Sequence, residues 1–244
     1  MLAKIAFWGD SLTEGVPGAA YVDLVRAVQL NHTIENFGKG GDTVRSLYER
    51  AAQLQQSKPE KFKADIAFIW VGVNDVLPQL ARFYPPMKTV VRQPWTHTEA
   101  EFSGYYRRLF DLFHPRCRHI WAVSPLFLGE HLGNPWNRRL ELQAQLISKL
   151  VSMYEGAAFL DIRRPFIEIL AKDHHKTTQI STYLPIDPFQ VAADFLTYRS
   201  ASKADQRAEE RGLHFTMDGI HLNSAGAQIV ADEVNRSIAQ SLQV

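Results

Sequence analysis

Short apolar runs alternate with amphipathic segments along most of the chain. Five runs are apolar on both faces and end in turn residues: 4–8, 33–37, 65–71, 119–124 and 157–161. Such runs are typical of strands buried on both faces of a parallel sheet. Between them, apolar residues three and four positions apart predict helices near 21–30, 43–55, 99–113 and 136–154. A last helix is predicted to begin at Asn223 or Ser224 and to end near Gln240.

The repeated alternation of strand and helix predicts the α/β class. Each strand–helix–strand unit returns the chain to the same sheet, so we expect a parallel five-stranded sheet with helices on both faces. The expected strand order is the flavodoxin-like 2-1-3-4-5. No internal repeat or linker divides the sequence, and one domain spanning 1–244 is predicted.

Two stretches interrupt this alternation and are predicted to be irregular insertions. Residues 76–98 carry several prolines between a strand and the next helix, and so long a connection is usually functional or mobile. The other stretch is 171–215. Within it, residues 189–211 begin apolar and end in a charged run, which favours an amphipathic surface helix. The alternatives are a cap over the active site or a subunit contact.

Composition and charge exclude several classes of function. Lysine and arginine number 27 against 26 acidic residues, so no basic surface indicates nucleic-acid binding. The longest apolar stretch, about 66–73, is too short to cross a bilayer. Cys117 is the only cysteine, which fits a reducing compartment. After Met1 the chain has a short apolar run without a cleavage-like site, and a cytoplasmic enzyme is expected.

The candidate chemistry follows directly after the strands. Ligands of an open parallel sheet bind beyond the carboxyl ends of its strands. Polar or glycine-rich groups stand at 9–11, 38–43 and 72–75, and an Asp/His pair at 218–221 precedes the last helix. Serine, exposed backbone N–H groups, a side-chain amide and an Asp/His pair are the parts required for nucleophilic acyl transfer.

These blocks resemble those of the SGNH hydrolases, also called the GDSL esterase/lipase family. The matching blocks are Gly9-Asp10-Ser11-Leu12, Gly41-Asp42-Thr43, Gly72-Val73-Asn74-Asp75 and Asp218-Gly219-Ile220-His221. They occur in order from residue 9 to residue 221, so the resemblance covers nearly the whole chain. The resemblance implies a three-layer α/β/α fold and hydrolysis of carboxylic esters or related acyl groups.

The resemblance also implies the role of each site residue. Ser11 would be the nucleophile, and Asp218 and His221 would complete a catalytic triad. Gly41 and Asn74 would donate hydrogen bonds to the oxyanion, together with the backbone N–H of Ser11. In such a triad the imidazole accepts the serine proton, while the carboxylate fixes its tautomer and stabilises the imidazolium.

Several residues near these blocks have structural interpretations. Gly40 competes with Gly41 for the donor position. Asp10, Asp42, Thr43 and Asp75 are expected to hold turns or cap helices. A second Asp-x-x-His pair, Asp111 and His114, lies at the amino edge of the sheet, which is the wrong end for chemistry. His131 could line the pocket, and His174-His175 fit surface residues better than a metal site. In 76–98, the candidates for contact with an anionic acyl or alcohol group are Arg82, Lys88 and Arg92, and the candidates for stacking on an aromatic or sugar ring are Phe83, Tyr84 and Trp95.

The sequence thus predicts a serine esterase that favours short acyl chains and acts on small-molecule esters. No metal, organic cofactor, nucleic acid or membrane span is expected. One alternative is a carbohydrate O-acetyl esterase or acyltransferase with the same triad. Another is a catalytically inactive domain that binds an acyl or sugar ligand.

Overall fold

The central sheet of the protein is parallel throughout. The computed structural model describes residues 2–173 and 181–243. Within them, β1 (Lys4–Gly9), β2 (Thr33–Gly38), β3 (Ala64–Trp70), β4 (Cys117–Val123) and β5 (Ala157–Leu160) pair in the order β2-β1-β3-β4-β5. The predicted α/β class and the order 2-1-3-4-5 are confirmed.

The helices surround this sheet. They are α1 (Ser11–Glu14), α2 (Tyr21–Val28), α3 (Val44–Ser57), α4 (Pro59–Phe62), α5 (Val73–Leu80), α6 (Tyr84–Val90), α7 (Glu99–Phe113), α8 (Pro135–Val151), α9 (Arg163–Asp173), α10 (Pro188–Thr197), α11 (Ala201–Arg211) and α12 (Ser224–Leu242). No helix among the described residues is both long enough and apolar enough to cross a membrane.

The side chains of β1 show why the fold has three layers. Successive side chains of a strand point to opposite faces, so each central strand feeds two cores. Ile5 and Phe7 join the core beneath α2, α9 and α12. Ala6 and Trp8 join the core beneath α3 and α7. The predicted three-layer α/β/α fold is therefore confirmed.

The register of the sheet brings three strand ends to one place. Gly9, the last residue of β1, pairs with Gly38 of β2 and with Trp70 of β3. The loops that leave these strands therefore start side by side. The topological switch point lies here, because the chain crosses from β1 to β2 on one side and to β3 on the other.

The structure differs from the sequence-based expectation in several elements. Residues 76–98 are not irregular throughout, since they hold most of α5 and all of α6. Pro85 occupies the first turn of α6, where a backbone N–H has no helical acceptor to lose. The helix α9 was missed, α8 ends at Val151 rather than near Tyr154, and β4 begins earlier, at Cys117.

The predicted helix at 189–211 is two helices, α10 and α11, separated by residues 198–200. The burial of side chains in α10 is also the reverse of the usual pattern, because a charged residue is buried and large apolar residues are exposed. Asp194 is buried between Arg207 and Arg211, whereas Phe189 is 84% exposed. Residues 174–180, which include His174-His175 and part of the stretch 171–215, lie outside the described residues.

Candidate active site

Ser11 is the first residue of the short helix α1, immediately beyond β1. Asp10 caps this helix, because its Oδ1 accepts a hydrogen bond from the Leu12 N–H at 3.0 Å. Gly9 permits the tight turn: a Cβ there would lie 2.4 Å from the Trp70 carbonyl oxygen. The turn holds Ser11 at the carboxyl edge of the sheet, with 5% of its surface exposed.

The structure brings Ser11, His221 and Asp218 into one hydrogen-bonded chain. The Nε2 of His221 lies 2.9 Å from the Oγ of Ser11, and its Nδ1 lies 2.6 Å from Oδ2 of Asp218. Because the carboxylate can only accept, Nδ1 carries a hydrogen and Nε2 is free to accept the serine hydroxyl. Oδ1 of Asp218 also accepts the backbone N–H groups of Ile220 and His221, at 3.0 and 2.8 Å.

The charges of the pair alter both pKa values. Burial alone would lower the pKa of His221, but the charge and hydrogen bond of Asp218 outweigh it, and the pKa rises above the ordinary 6.5. Burial opposes ionisation of Asp218 as well, yet the neighbouring His221 brings the pKa of this carboxyl below its usual value. Asp218 therefore stays ionised and stabilises a proton on the imidazole.

A buried carboxylate holds the segment that carries this pair. Glu130 accepts the backbone N–H groups of His214, Phe215 and Thr216 at 2.6–2.9 Å, and the Thr216 hydroxyl at 2.9 Å. Thr216 and Leu222 then form an isolated bridge that closes the loop between them. No sequence pattern points to Glu130, because its partners lie more than 80 positions away.

Of the two adjacent glycines, Gly40 already uses its N–H group, which donates a hydrogen bond to Oε2 of Glu14 at 2.6 Å. The Gly40 carbonyl accepts Nε2 of Gln93 at 2.6 Å. Gly41 follows with a φ of +79°, a conformation that favours glycine. A Cβ at Gly41 would lie 2.3 Å from Oε1 of Gln93, so a larger residue there would have to displace the Gln93 side chain. Of the two glycines, Gly41 is therefore the better candidate for the oxyanion donor expected from the resemblance.

Asn74 lies in the first turn of α5 rather than at the end of β3, which was the expected position. Its Nδ2 donates to Oδ2 of Asp10 at 3.0 Å, and its Oδ1 accepts from Nζ of Lys88 at 2.8 Å. Asp10 therefore does more than hold its turn, because it also links Asn74 to the residue preceding Ser11. Burial raises the pKa of Asp10 to about 6.

Lys88 is a further residue of the site, and its position differs from the substrate contact considered in the sequence. It extends inward from α6 with none of its surface exposed. Besides Asn74, its ammonium group donates to the Gly41 carbonyl. Tyr84 also turns inward and donates to the Pro185 carbonyl at 2.8 Å.

The residues given structural interpretations mostly keep them. Thr43 caps α3 in a capping box with Ser46. Asp42 accepts from Ser46 and Arg50 at the same end of α3. Asp75 accepts the Val44 N–H at 2.9 Å and the Thr96 hydroxyl at 2.8 Å, so it ties α5 to α3.

The competing histidines lie outside the chain of Ser11, His221 and Asp218. Asp111 accepts the Tyr154 hydroxyl at 2.8 Å, and His114 bonds the Glu155 carbonyl at 2.9 Å, both before β4 begins. His131 is exposed, and among the described residues its ring forms no hydrogen bond with Ser11, His221 or Asp218. In residues 2–173 and 181–243, no three His, Cys, Asp or Glu side chains are grouped to hold a metal ion.

Trp95 lines a cavity of about 660 Å³ together with Asp75, His97, Arg139 and Gln143. The lining of this cavity includes neither Ser11 nor His221. Trp95 therefore lines a cavity to which Ser11 and His221 do not contribute.

Comparison with known proteins places the chain in a family. The GDSL-like lipase/acylhydrolase family matches residues 5–234. No curated protein sequence matches the chain. Three similar solved structures share the fold at low identity. A catalytic mutant of Axe2, an acetylxylan esterase from Geobacillus stearothermophilus, is 20% identical over 97% of this chain and 94% of that one, with a TM-score of 0.63.

The acetyl xylan esterase AlAXEase is 20% identical over 96% of this chain and 99% of that one, with a TM-score of 0.64. LAE5, an α/β hydrolase enzyme from the metagenome of Lake Arreo, Spain, is 21% identical over 95% and 93%, with a TM-score of 0.62. The resemblance found in the sequence is thereby confirmed at the level of the family. The chain belongs to the GDSL-like lipase/acylhydrolase family and is an enzyme that hydrolyses carboxylic esters.

Proposed function

We propose that the protein is a serine esterase that cleaves short-chain carboxylic esters through an acyl-Ser11 intermediate. The observation that carries the proposal is the chain from Ser11 Oγ to His221 Nε2, at 2.9 Å, and from His221 Nδ1 to Asp218, at 2.6 Å. A serine hydroxyl is a weak nucleophile until a base takes its proton, and this chain supplies the base and its orienting group.

The proposed reaction has two halves. Ser11 Oγ attacks the ester carbonyl carbon while His221 takes the hydroxyl proton. The resulting oxyanion accepts hydrogen bonds from the N–H groups of Ser11 and Gly41 and from the Asn74 amide. Collapse breaks the bond to the alcohol oxygen, which leaves with the proton from His221. Water then attacks the acyl-enzyme and gives its proton to His221. Collapse breaks the bond between Ser11 Oγ and the carbonyl carbon, His221 returns the proton to Oγ, and the carboxylic acid leaves.

The surroundings of Ser11 support a short acyl group. His221 bonds its hydroxyl, and Asp10, the residue before it, is linked through Asn74 and Lys88 to the Gly41 carbonyl, so the hydrogen-bonded groups at this edge of the sheet are polar or glycine. A long alkyl chain gains little from such groups, since its binding depends on removing apolar surface from water against apolar partners. An acetyl group requires little of this contact.

An acetylated carbohydrate is the second candidate for the ester. Two of the similar structures are described as acetylxylan esterases, and their fold extends over nearly all of this chain. The proposed triad is the same for a simple ester, an acetylated sugar or transfer of the acyl group to another acceptor. Only the alcohol side distinguishes these substrates.

A covalent serine probe tests the mechanism. A fluorophosphonate should label the protein once, on the peptide that contains Ser11, and Ser11→Ala should abolish both labelling and ester hydrolysis. Ser224→Ala is the matched control, since Ser224 also begins a helix but bonds Asp205 and not the triad. Labelling that persists in Ser11→Ala would disprove the assigned nucleophile. A parent protein that neither reacts with the probe nor hydrolyses an ester would favour the inactive-domain alternative.

A substrate panel tests the acyl preference. On p-nitrophenyl esters of increasing chain length, kcat/KM should be highest for acetate and should fall as the chain lengthens. Acetylated xylo-oligosaccharides assayed beside them show whether a sugar improves on the simple alcohol. A maximum at eight or more carbons would contradict the short-chain proposal.

A further inference from the structure

Lys88 is a fully buried lysine that binds uncharged acceptors. Its ammonium group donates to Asn74 Oδ1 at 2.8 Å and to the carbonyl of Gly41. Removing an ammonium from water is costly unless its hydrogen bonds and neighbouring charges compensate. Asp10, Asp42 and Asp75 supply negative charge around it. A lysine kept in such a place, beside two proposed oxyanion donors, calls for a chemical role.

The contact with Asn74 determines which way its carboxamide points. An ammonium group has three donors and no acceptor, so it can bind the amide oxygen but not the amide nitrogen. The nitrogen end is thereby turned towards Asp10, whose Oδ2 takes one of its two hydrogens at 3.0 Å. Among residues 2–173 and 181–243, no group accepts the second hydrogen of this amide. Asn74 is thus held from both ends.

We propose that Lys88 is a positioning residue of the oxyanion hole, which orients the Asn74 carboxamide and strengthens its free N–H as a donor. The proposal rests on the proposed function, because it needs an oxyanion at Ser11. A cation on the amide oxygen draws electron density from the nitrogen, so the N–H becomes a stronger donor. Donors fixed before the reaction stabilise developing charge without reorganisation cost.

The two proposed donors are supported separately, which makes the effect on Asn74 measurable. The N–H of Gly41 belongs to the peptide whose carbonyl is that of Gly40, and Gln93 holds that carbonyl. The carbonyl that Lys88 contacts is the next one, of Gly41 itself. Loss of the ammonium therefore acts first on Asn74.

The test replaces Lys88 by methionine, which keeps an unbranched side chain and removes the donor. On p-nitrophenyl acetate, Lys88→Met should lower kcat about 10- to 100-fold with KM changed less than about threefold, because the ground-state carbonyl gains less than the oxyanion from this donor. In an Asn74→Ala background, Lys88→Met should lower kcat by less than about threefold more, since its target is gone.

Two controls separate this role from a general effect on α6. Val90→Gly loosens the last turn of the same helix at a side chain that is 81% exposed, and its kcat should stay near that of the parent. If Lys88→Met does not fold, Lys88→Gln replaces it in the test, because the uncharged amide of glutamine still donates to Asn74. Lys88→Gln should show a smaller loss in kcat, with KM again unchanged.

The pH dependence of kcat distinguishes this role from a purely structural one, because a structural lysine would not make kcat depend on its own protonation. Burial lowers the pKa of Lys88 to about 8, against the charges of Asp75, Asp10 and Asp42. In the parent, kcat should therefore decline above about pH 8, as the ammonium is lost. In Lys88→Met and Lys88→Gln that decline should be absent.

The proposal fails if Lys88→Met retains kcat within about threefold, if the loss is in KM, or if its effect multiplies fully with that of Asn74→Ala. None of these results touches the nucleophile, which Ser11→Ala tests independently. Conversely, an active Ser11→Ala would remove the proposed function whatever Lys88 does.

Discussion

At the scale of single residues, the proposed mechanism makes the protonation of His221 determine how activity declines at acid pH. The imidazole must be neutral to take the Ser11 proton, and Asp218 raises its pKa above the ordinary 6.5. Below that raised pKa the ring carries a proton and cannot act as a base. The same carboxylate that stabilises the imidazolium during reaction thus makes the resting enzyme more sensitive to acid.

We therefore expect kcat/KM to fall as the pH decreases through a value above 6.5. Asp218→Asn should move this limb to lower pH, because the charge that raises the pKa of His221 is removed, and should also lower the plateau by orders of magnitude. Rates on p-nitrophenyl acetate across the pH range measure both effects. An unshifted limb in Asp218→Asn would show that another group controls it.

Asn74→Ala should lower kcat by about 10²–10³-fold with little change in KM or in the melting temperature, since the amide acts on developing charge. Asn74→Asp should be no better, because a carboxylate repels the oxyanion. Steady-state kinetics with slower but continued labelling of Ser11 measure this. Asn235→Ala, on α12 and bonded to Gln29, is the control. Activity of Asn74→Ala within threefold of the parent would contradict the assigned donor.

At the scale of elements, α10 borders the site from the side of Gly40. A Cβ at Gly40 would lie 3.8 Å from the ring of Phe195. The Gly18 N–H donates to the Tyr198 carbonyl, directly after α10, at 3.0 Å. A Cβ at Gly18 would in turn lie 3.4 Å from Cβ of His221. These contacts bring α10 close to both ends of the proposed site, which favours the cap over the plain surface helix.

Phe195→Ala should open the Gly40 side of the site and raise the butyrate-to-acetate ratio of kcat/KM about threefold or more, with the acetate rate nearly unchanged. Differences of one or two methylene groups in a pocket are commonly worth that much. Leu196→Ala, which removes a neighbouring side chain that is 73% exposed, is the control and should leave the ratio unchanged. Equal changes on all esters would indicate that α10 does not set acyl length.

At the scale of the whole molecule, some features follow from local sequence patterns and others depend on residues that only folding brings together. The strands, the sheet order and the Ser11 and His221 blocks were predictable, because buried parallel strands have apolar runs and chemistry follows their carboxyl ends. Lys88 and Glu130 were not, since their roles come from partners brought together by folding. The prolines near Lys88 also concealed α6, although Pro85 sits where a helix tolerates it.

The buried charges of the site also affect stability. Burial raises the pKa of Asp10 and Asp75 to about 6, from 3.8, so the folded protein binds extra protons between these values and loses stability as the pH rises through that range. Lys88 offsets the charge of the two carboxylates above pH 6. Without Lys88 their pKa values should rise further, and the loss of stability should continue to higher pH.

Lys88→Met should therefore lower the melting temperature more at pH 7.5 than at pH 5, by several degrees, because the carboxyls are neutral at the lower pH. For a chain of this size about 1 kcal/mol corresponds to 2–4 °C. Thermal unfolding at both pH values measures the difference. Lys63→Met, at an exposed lysine, should show no such dependence. A loss that is equal at both pH values would mean that the carboxylates do not depend on Lys88.

Ser11 and His221 are separated by 210 positions, so the site forms only when distant parts of the chain have come together. The proposed nucleophile, Ser11, belongs to the first strand–helix unit. The proposed base, His221, belongs to the segment that Glu130 holds and that leads into α12. Contacts between the two ends of a chain form at a high cost in loop-closure entropy. On refolding, reactivity of Ser11 towards a fluorophosphonate should appear together with docking of α12, after the sheet has formed, so that the probe reports completion of the native state.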